Sequence, residues 1–150
     1  MSLYQFIACD NELPELFSNK KRLQSGEMIK SFNTIEHYTD LEILCPINEY
    51  YDDIPYYTNK KHIYSLEWNY SDDNVKKLWQ YLKDIHSDDI EIEIWSISLC
   101  DFFRLEEEIL YKLEKTKRVY CPMYKLSMDI LKASVECGDS GKTPNVIIIK

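Results

Sequence analysis

The chain has 150 residues, a length that fits one domain, and a hydrophobic fraction of 45%, which is ordinary for a globular protein and unlike disorder. Its 18 Lys and Arg against 26 Asp and Glu give a net charge of −8, and the densest basic run is only Lys20-Lys21-Arg22. Nucleic acid is thereby disfavoured, because phosphate backbones are bound by clustered cations.

The longest apolar run, Val146-Ile147-Ile148-Ile149, is far short of the ~20 residues that span a bilayer. No basic region followed by a long apolar stretch opens the chain, so no signal peptide is expected and a cytoplasmic location is. Cys9, Cys45, Cys100, Cys121 and Cys137 are odd in number and widely spaced, with no C-x-x-C pair. They are expected to be reduced, mostly buried thiols rather than a disulfide framework or a zinc site.

Leu3–Cys9 is rich in aromatic and branched residues and predicts a strand, followed by a turn at Asp10-Asn11. Leu41–Ile47 predicts a second strand, which Pro46 pushes toward an edge. The segment 48–60, with Pro55 and no helical period, reads as a loop. Lys61–Trp68 predicts a strand with Tyr64, Leu66 and Trp68 on one side.

A helix is expected over 72–86. Ser71 caps its first turn, Asp72 and Asp73 complement the dipole, and Val75, Leu78, Trp79, Leu82 and Ile85 form an apolar stripe. Asp89–Leu99 is the strongest strand. Its apolar parity switches from Ile90, Ile92 and Ile94 to Trp95, Ile97 and Leu99, which implies either a bulge or a central strand covered on both faces. A second helix is expected over 102–116. A third starts at Pro122, with Met123, Leu126, Ile130, Ala133 and Cys137 inward and Gly138 as its C-terminal cap. Asn145–Lys150 closes the chain as a strand. This order predicts an α+β fold, with one small mixed or antiparallel sheet and helices mainly on one face, in a single domain over 1–150. The 61–99 unit has a helix-sized connection that suits a right-handed parallel crossover.

Several motifs resemble chemistry and fall short of it. Gly138-Asp139-Ser140-Gly141-Lys142-Thr143 ends like a phosphate-binding loop, but Glu136 stands where that pattern needs glycine, and a helix precedes it instead of following it. Cys100 and Cys121 each precede an expected helix start, where a thiol can be activated, but His37, His62 and His86 have no sequence relation to either. Glu36, His37, Asp40, Asp52, Asp53 and His62 have the right types for a divalent ion without a recognised ligand spacing. Glu91 and Glu93 share one face of a strand, a paired-carboxylate arrangement that reads more simply as a wet face. No cofactor and no catalytic set is expected.

The best partner-binding candidate is the tyrosine-acid segment 48–58. Tyr50, Tyr51, Tyr56 and Tyr57 offer large rigid contact area, and Glu49, Asp52 and Asp53 beside them would steer a basic partner. Two or three of the rings folding back onto the core is the plainer alternative. Trp68, Trp79 and the tyrosines are also the material of an aromatic cage for a small cation.

The opening Tyr4–Asp10, the run Tyr56-Tyr57-Thr58-Asn59-Lys60 leading into Ile63-Tyr64, and Ile94-Trp95-Ser96-Ile97 resemble a group of small bacterial proteins without assigned function. The resemblance implies no activity, cofactor or catalytic residue. The sequence therefore favours an acidic interaction protein of the inhibitor or immunity type. A cysteine- or carboxylate-dependent enzyme is the alternative.

Overall fold

The structure is a computed structural model in which residues 3–17, 41–44, 54–68, 71–98, 110, 113–135 and 144–150 are described. Its strands are β1 (Leu3–Cys9), β2 (Glu42–Leu44), β3 (His62–Glu67), β4 (Ile92–Ser98), β5 (Lys117–Cys121) and β6 (Asn145–Ile149). Its helices are α1 (Ile54–Tyr57), α2 (Asp72–Ile85) and α3 (Met128–Val135), with a 3-10 turn at Met123–Lys125. The six strands form one mixed sheet in the order β2-β3-β1-β4-β6-β5. The α+β expectation holds.

β3 and β4 both run antiparallel to β1, so they are parallel to each other with β1 between them. The expected crossover through α2 therefore exists but steps over one strand. A second parallel unit, β5-α3-β6, joins direct neighbours. β4 and β6 are antiparallel.

The parity switch in β4 comes from cover on both faces. The β1–β4 register runs without a bulge from Leu3 opposite Ser98 to Cys9 opposite Ile92. Ile92 and Ile94 join the core of the first face, with Ile7, Tyr64, Ile147 and Ile149 of the neighbouring strands. Trp95 and Ile97 join the core of the second face, with Tyr4, Phe6, Val146 and Ile148.

The first face is covered by α2 and α3. Val75, Leu78 and Leu82 of α2 and Leu131 of α3 are fully buried against it. Ser71 caps α2 as expected, its side chain accepting from the Asn74 N–H at 3.2 Å. Tyr81 buries most of its ring and donates its hydroxyl to the Pro14 carbonyl at 2.6 Å, and burial pushes its phenol well above the usual range. The second face receives Tyr57 from α1 and Leu113.

The third helix needs correction. Lys117–Cys121, on which no element was expected, is a strand, and α3 begins only at Met128. Pro122 is extended (ψ 143°), and the stronger cap is Ser127, whose hydroxyl accepts from the Ile130 N–H at 3.3 Å. Leu126 and Leu131 are buried, Met123 and Ile130 pack half-buried against the same core as expected, Ala133 is exposed, and Cys137 lies outside the described residues. Likewise α1 forms inside the expected loop 48–60. Of the expected helix over 102–116, Leu110, Leu113 and Glu114 are helical, and most of the remainder lies outside the described residues.

Because adjacent residues of β4 serve opposite cores, both should be costly to truncate. Ile94→Ala is expected to lose about 2–5 kcal/mol and Trp95→Ala about 3–5 kcal/mol of stability in urea denaturation. A one-sided sheet would leave one of the pair nearly neutral.

Candidate functional site

Of the tyrosine-acid segment, Tyr50, Tyr51, Asp52 and Asp53, with Glu49, lie outside the described residues. Tyr56 and Tyr57 are described and they part company. Tyr57 is 6% exposed, and its ring meets Trp95 edge-on with centroids 5.9 Å apart. It packs into the core of the second face, covering Trp95. Tyr56, next to it, is 42% exposed. The helical turn is thus held by one tyrosine while presenting the other.

The chain leaving α1 is fixed by polar groups. Thr58 donates its hydroxyl to Glu93 Oε1 at 2.5 Å, and the Trp95 indole N–H donates to the same oxygen at 3.2 Å. The Lys60 backbone N–H donates to Thr58 Oγ1 at 3.2 Å. Glu93 is only 7% exposed, so the wet-face reading fails for it. A buried carboxyl is tolerated where hydrogen bonds replace its water, and here Thr58 and Trp95 supply them.

Glu91 does something different. Its carboxylate accepts from Lys60 Nζ at 3.0 Å, and Asp10 does so at 3.4 Å. Burial works against the Lys60 ammonium, but the hydrogen bond and charge of Glu91, with Asp10, outweigh it and raise its pKa. For Asp10, desolvation acts upward and is overcome by the Lys61 backbone N–H and the Lys60 charge, so its pKa is lowered. Glu91 and Glu93 are therefore committed to separate partners. Neither the Thr58–Glu93 pair, 35 residues apart, nor the Lys60 bridge has a signal in the sequence.

The thiol candidates are not activated in the described part of the chain. Cys121 ends β5 instead of preceding a helix, is 4% exposed, and burial raises its pKa against the opposing charge of Lys125. Cys100 lies outside the described residues. The β1–β3 register sets Cys9 opposite His62, but Cys9 is fully buried in the core. Of the expected metal set only His62 is described, and among the described residues no three metal-ligating side chains converge. The phosphate-loop-like stretch Gly138–Thr143 is outside them too; it connects α3 to β6, helix first.

The cage residues already have partners. The Trp68 indole N–H donates to Gln5 Oε1 at 2.6 Å, and the face of Trp79 carries Lys83 Nζ 3.4 Å from its centroid. A cleft of about 140 Å³ lies between β5, β6 and α3, lined by Val119, Ile130, Ala133 and Ile147, with Lys117 and Asn145 as polar lining. It is smaller than pockets that enclose metabolite-sized ligands. Within the described residues no helix is long and apolar enough to cross a membrane.

Exposed aromatic side chains also lie at one end of the sheet. Tyr120 in β5 is 72% exposed and Tyr124 in the following turn 83%. Arg118 sits with its Cζ 5.7 Å from the Trp95 ring centre, on the same ring that Tyr57 meets. Comparison with known proteins gives no match to a family model, a curated protein or a solved structure.

The Lys60 bridge predicts a pH window. A lowered carboxylate pKa adds stability that is lost as pH falls through it, and a raised lysine pKa adds stability that is lost as pH rises through it. Lys60→Met should therefore cost about 1 kcal/mol or less, evenly from pH 5 to 9. In urea titrations the difference from wild type should shrink below the ordinary Asp value of 3.8 and above the ordinary Lys value of 10.5. A deficit that grows at either extreme would contradict the assignment.

Proposed function

We propose that the chain is a small protein-interaction module of the inhibitor or immunity type, and that it binds a basic partner through a surface built on Tyr56 and the neighbouring acids Asp52 and Asp53. The observation that carries this reading is the division of labour in α1. Tyr57 is buried on Trp95, and the hydroxyl of the following Thr58 is bonded to Glu93, so two consecutive side chains anchor the end of the turn. Tyr56, next to these anchored residues, is left exposed. An aromatic residue that is ordered before binding loses little entropy on binding, which is what an interface anchor requires. The net charge of −8 speeds encounter with a basic surface and discourages an acidic one.

This reading removes Tyr57 from the contact set and gives it a positioning role. Tyr50 and Tyr51 remain with Tyr56 as proposed contacts. The enzyme alternative has less behind it. Glu91 and Glu93 are each engaged by other groups, and Cys121 is buried with a raised pKa.

The tagged protein as bait in lysate of its own source, at low and high salt, tests the proposal. A basic partner should be recovered at low salt and lost at high salt. Tyr56→Ala should weaken its recovery by about 30-fold, as expected of a hot-spot residue, while Tyr57→Phe retains it. Undiminished recovery by Tyr56→Ala would show that the surface lies elsewhere.

A further inference from the structure

β5 stands at one end of the sheet and pairs only with β6 among the described strands. The Lys117 N–H donates to the Pro144 carbonyl at 3.1 Å, and the Lys150 N–H donates to the Cys121 carbonyl at 3.3 Å. The odd-numbered residues of β5 thus aim their main chain at β6. Successive residues of a strand turn their N–H and C=O to opposite sides, so Arg118 and Tyr120 turn theirs to the outer edge.

The side chains along that edge are unusual for an acidic protein. Lys117, Arg118, Val119 and Tyr120 are all exposed, and so are Tyr124 and Lys125 just beyond. The stretch 117–125 holds three cations and no acid, in a chain of net charge −8. Lysine at an edge commonly guards against indiscriminate pairing. Here it stands beside Val119, 37% exposed, and two tyrosines more than two-thirds exposed, which leave apolar contact area along the same edge.

We propose that the outer edge of β5 receives an extended acidic segment of a partner protein by strand addition, pairing with the main chain of Arg118 and Tyr120. Successive side chains alternate faces, so on each face an acid of the added strand meets a cation, Lys117 on one and Arg118 on the other, and an apolar residue beside it meets Val119 or Tyr120. A second copy of the chain is the poorer occupant, because the same three cations would face themselves. This edge is independent of the surface around Tyr56 and opposite to it in charge preference.

The probe is an acetylated, amidated peptide repeating Glu-Glu-Val-Val, which offers an acid and an apolar residue to each face of the sheet, followed by amide hydrogen exchange and ¹⁵N–¹H spectra of the whole chain. At saturation it should slow exchange at the Arg118 and Tyr120 amides by about tenfold or more and leave Val119 and Cys121, already paired with β6, unchanged. Raising salt should weaken binding, and the same peptide N-methylated on its pairing edge, or with Lys in place of Glu, should not bind. Tyr120→Pro removes an outward N–H only, so it should keep the sheet and abolish binding, whereas Val119→Pro should break the β5–β6 ladder. If Tyr120→Pro does not fold, the double reversal Lys117→Glu with Arg118→Glu serves instead and should switch preference to the Lys peptide. No protection at millimolar peptide, or equal binding by the N-methylated form, overturns the proposal. Protection that rises with protein concentration alone overturns it in favour of self-association. Tyr56→Ala should bind the peptide normally, so this edge and the Tyr56 surface stand or fall separately.

Discussion

The second face of the sheet depends on a largely buried carboxyl group. Glu93 and Trp95 lie on the same side of β4, the strand paired with both β1 and β6. With 7% of Glu93 exposed, its oxygen must be bonded inside the protein, and the donors are Thr58 and Trp95. Trp95 in turn lies parallel to Phe6 at 5.9 Å and edge-on to Tyr57 at the same distance. A single polar demand in the sheet thereby orders residues 57–60, which come from a different part of the chain. Lys60 extends the attachment to Asp10 and Glu91 at the rim. The exposed Tyr56 inherits its position from these contacts.

The first face works mainly on apolar area, with Tyr81 and Tyr64 tying its rim to Pro14 and Leu13. Its helices bury Val75, Leu78, Leu82 and Leu131 on the isoleucines of β4 and β6. Packing of that kind is tolerant of detail and stabilises the fold without specifying a site. Both faces supply stability, and the second also orders the chain at α1. Arg118 joins the second face to the basic edge of β5 through Trp95.

Most of the fold was legible because the chain repeats strong local signals. Aromatic and branched residues marked β1, alternation marked β3, the 3.6-residue stripe and Ser71 marked α2, and the parity switch at Ile94-Trp95 left a bulge or a strand buried on two sides, of which the structure has the second. β5 was hidden because Lys117-Arg118-Val119-Tyr120 is exposed throughout and has no alternation. α3 was placed too early because Pro122 suits a helix start as readily as a strand exit, and only Ser127 decides between them. The proposed binding surface was legible as a composition and not as an arrangement. Tyr56 and Tyr57 are equivalent in sequence, and only the Trp95 ring 38 residues away distinguishes them. The wet-face reading of Glu93 failed for the same reason: alternation with isoleucine marks two faces and cannot say that Thr58 covers the second.

A double-mutant cycle on Thr58→Val and Glu93→Leu in urea denaturation tests the central link most directly. If the hydroxyl is what allows the carboxyl to be buried, Thr58→Val alone costs about 1–3 kcal/mol, and the double variant is more stable than the summed single losses by about 1 kcal/mol or more. Additivity within about 0.5 kcal/mol would mean that the two side chains do not depend on each other, and the second face would have to be ordered in some other way.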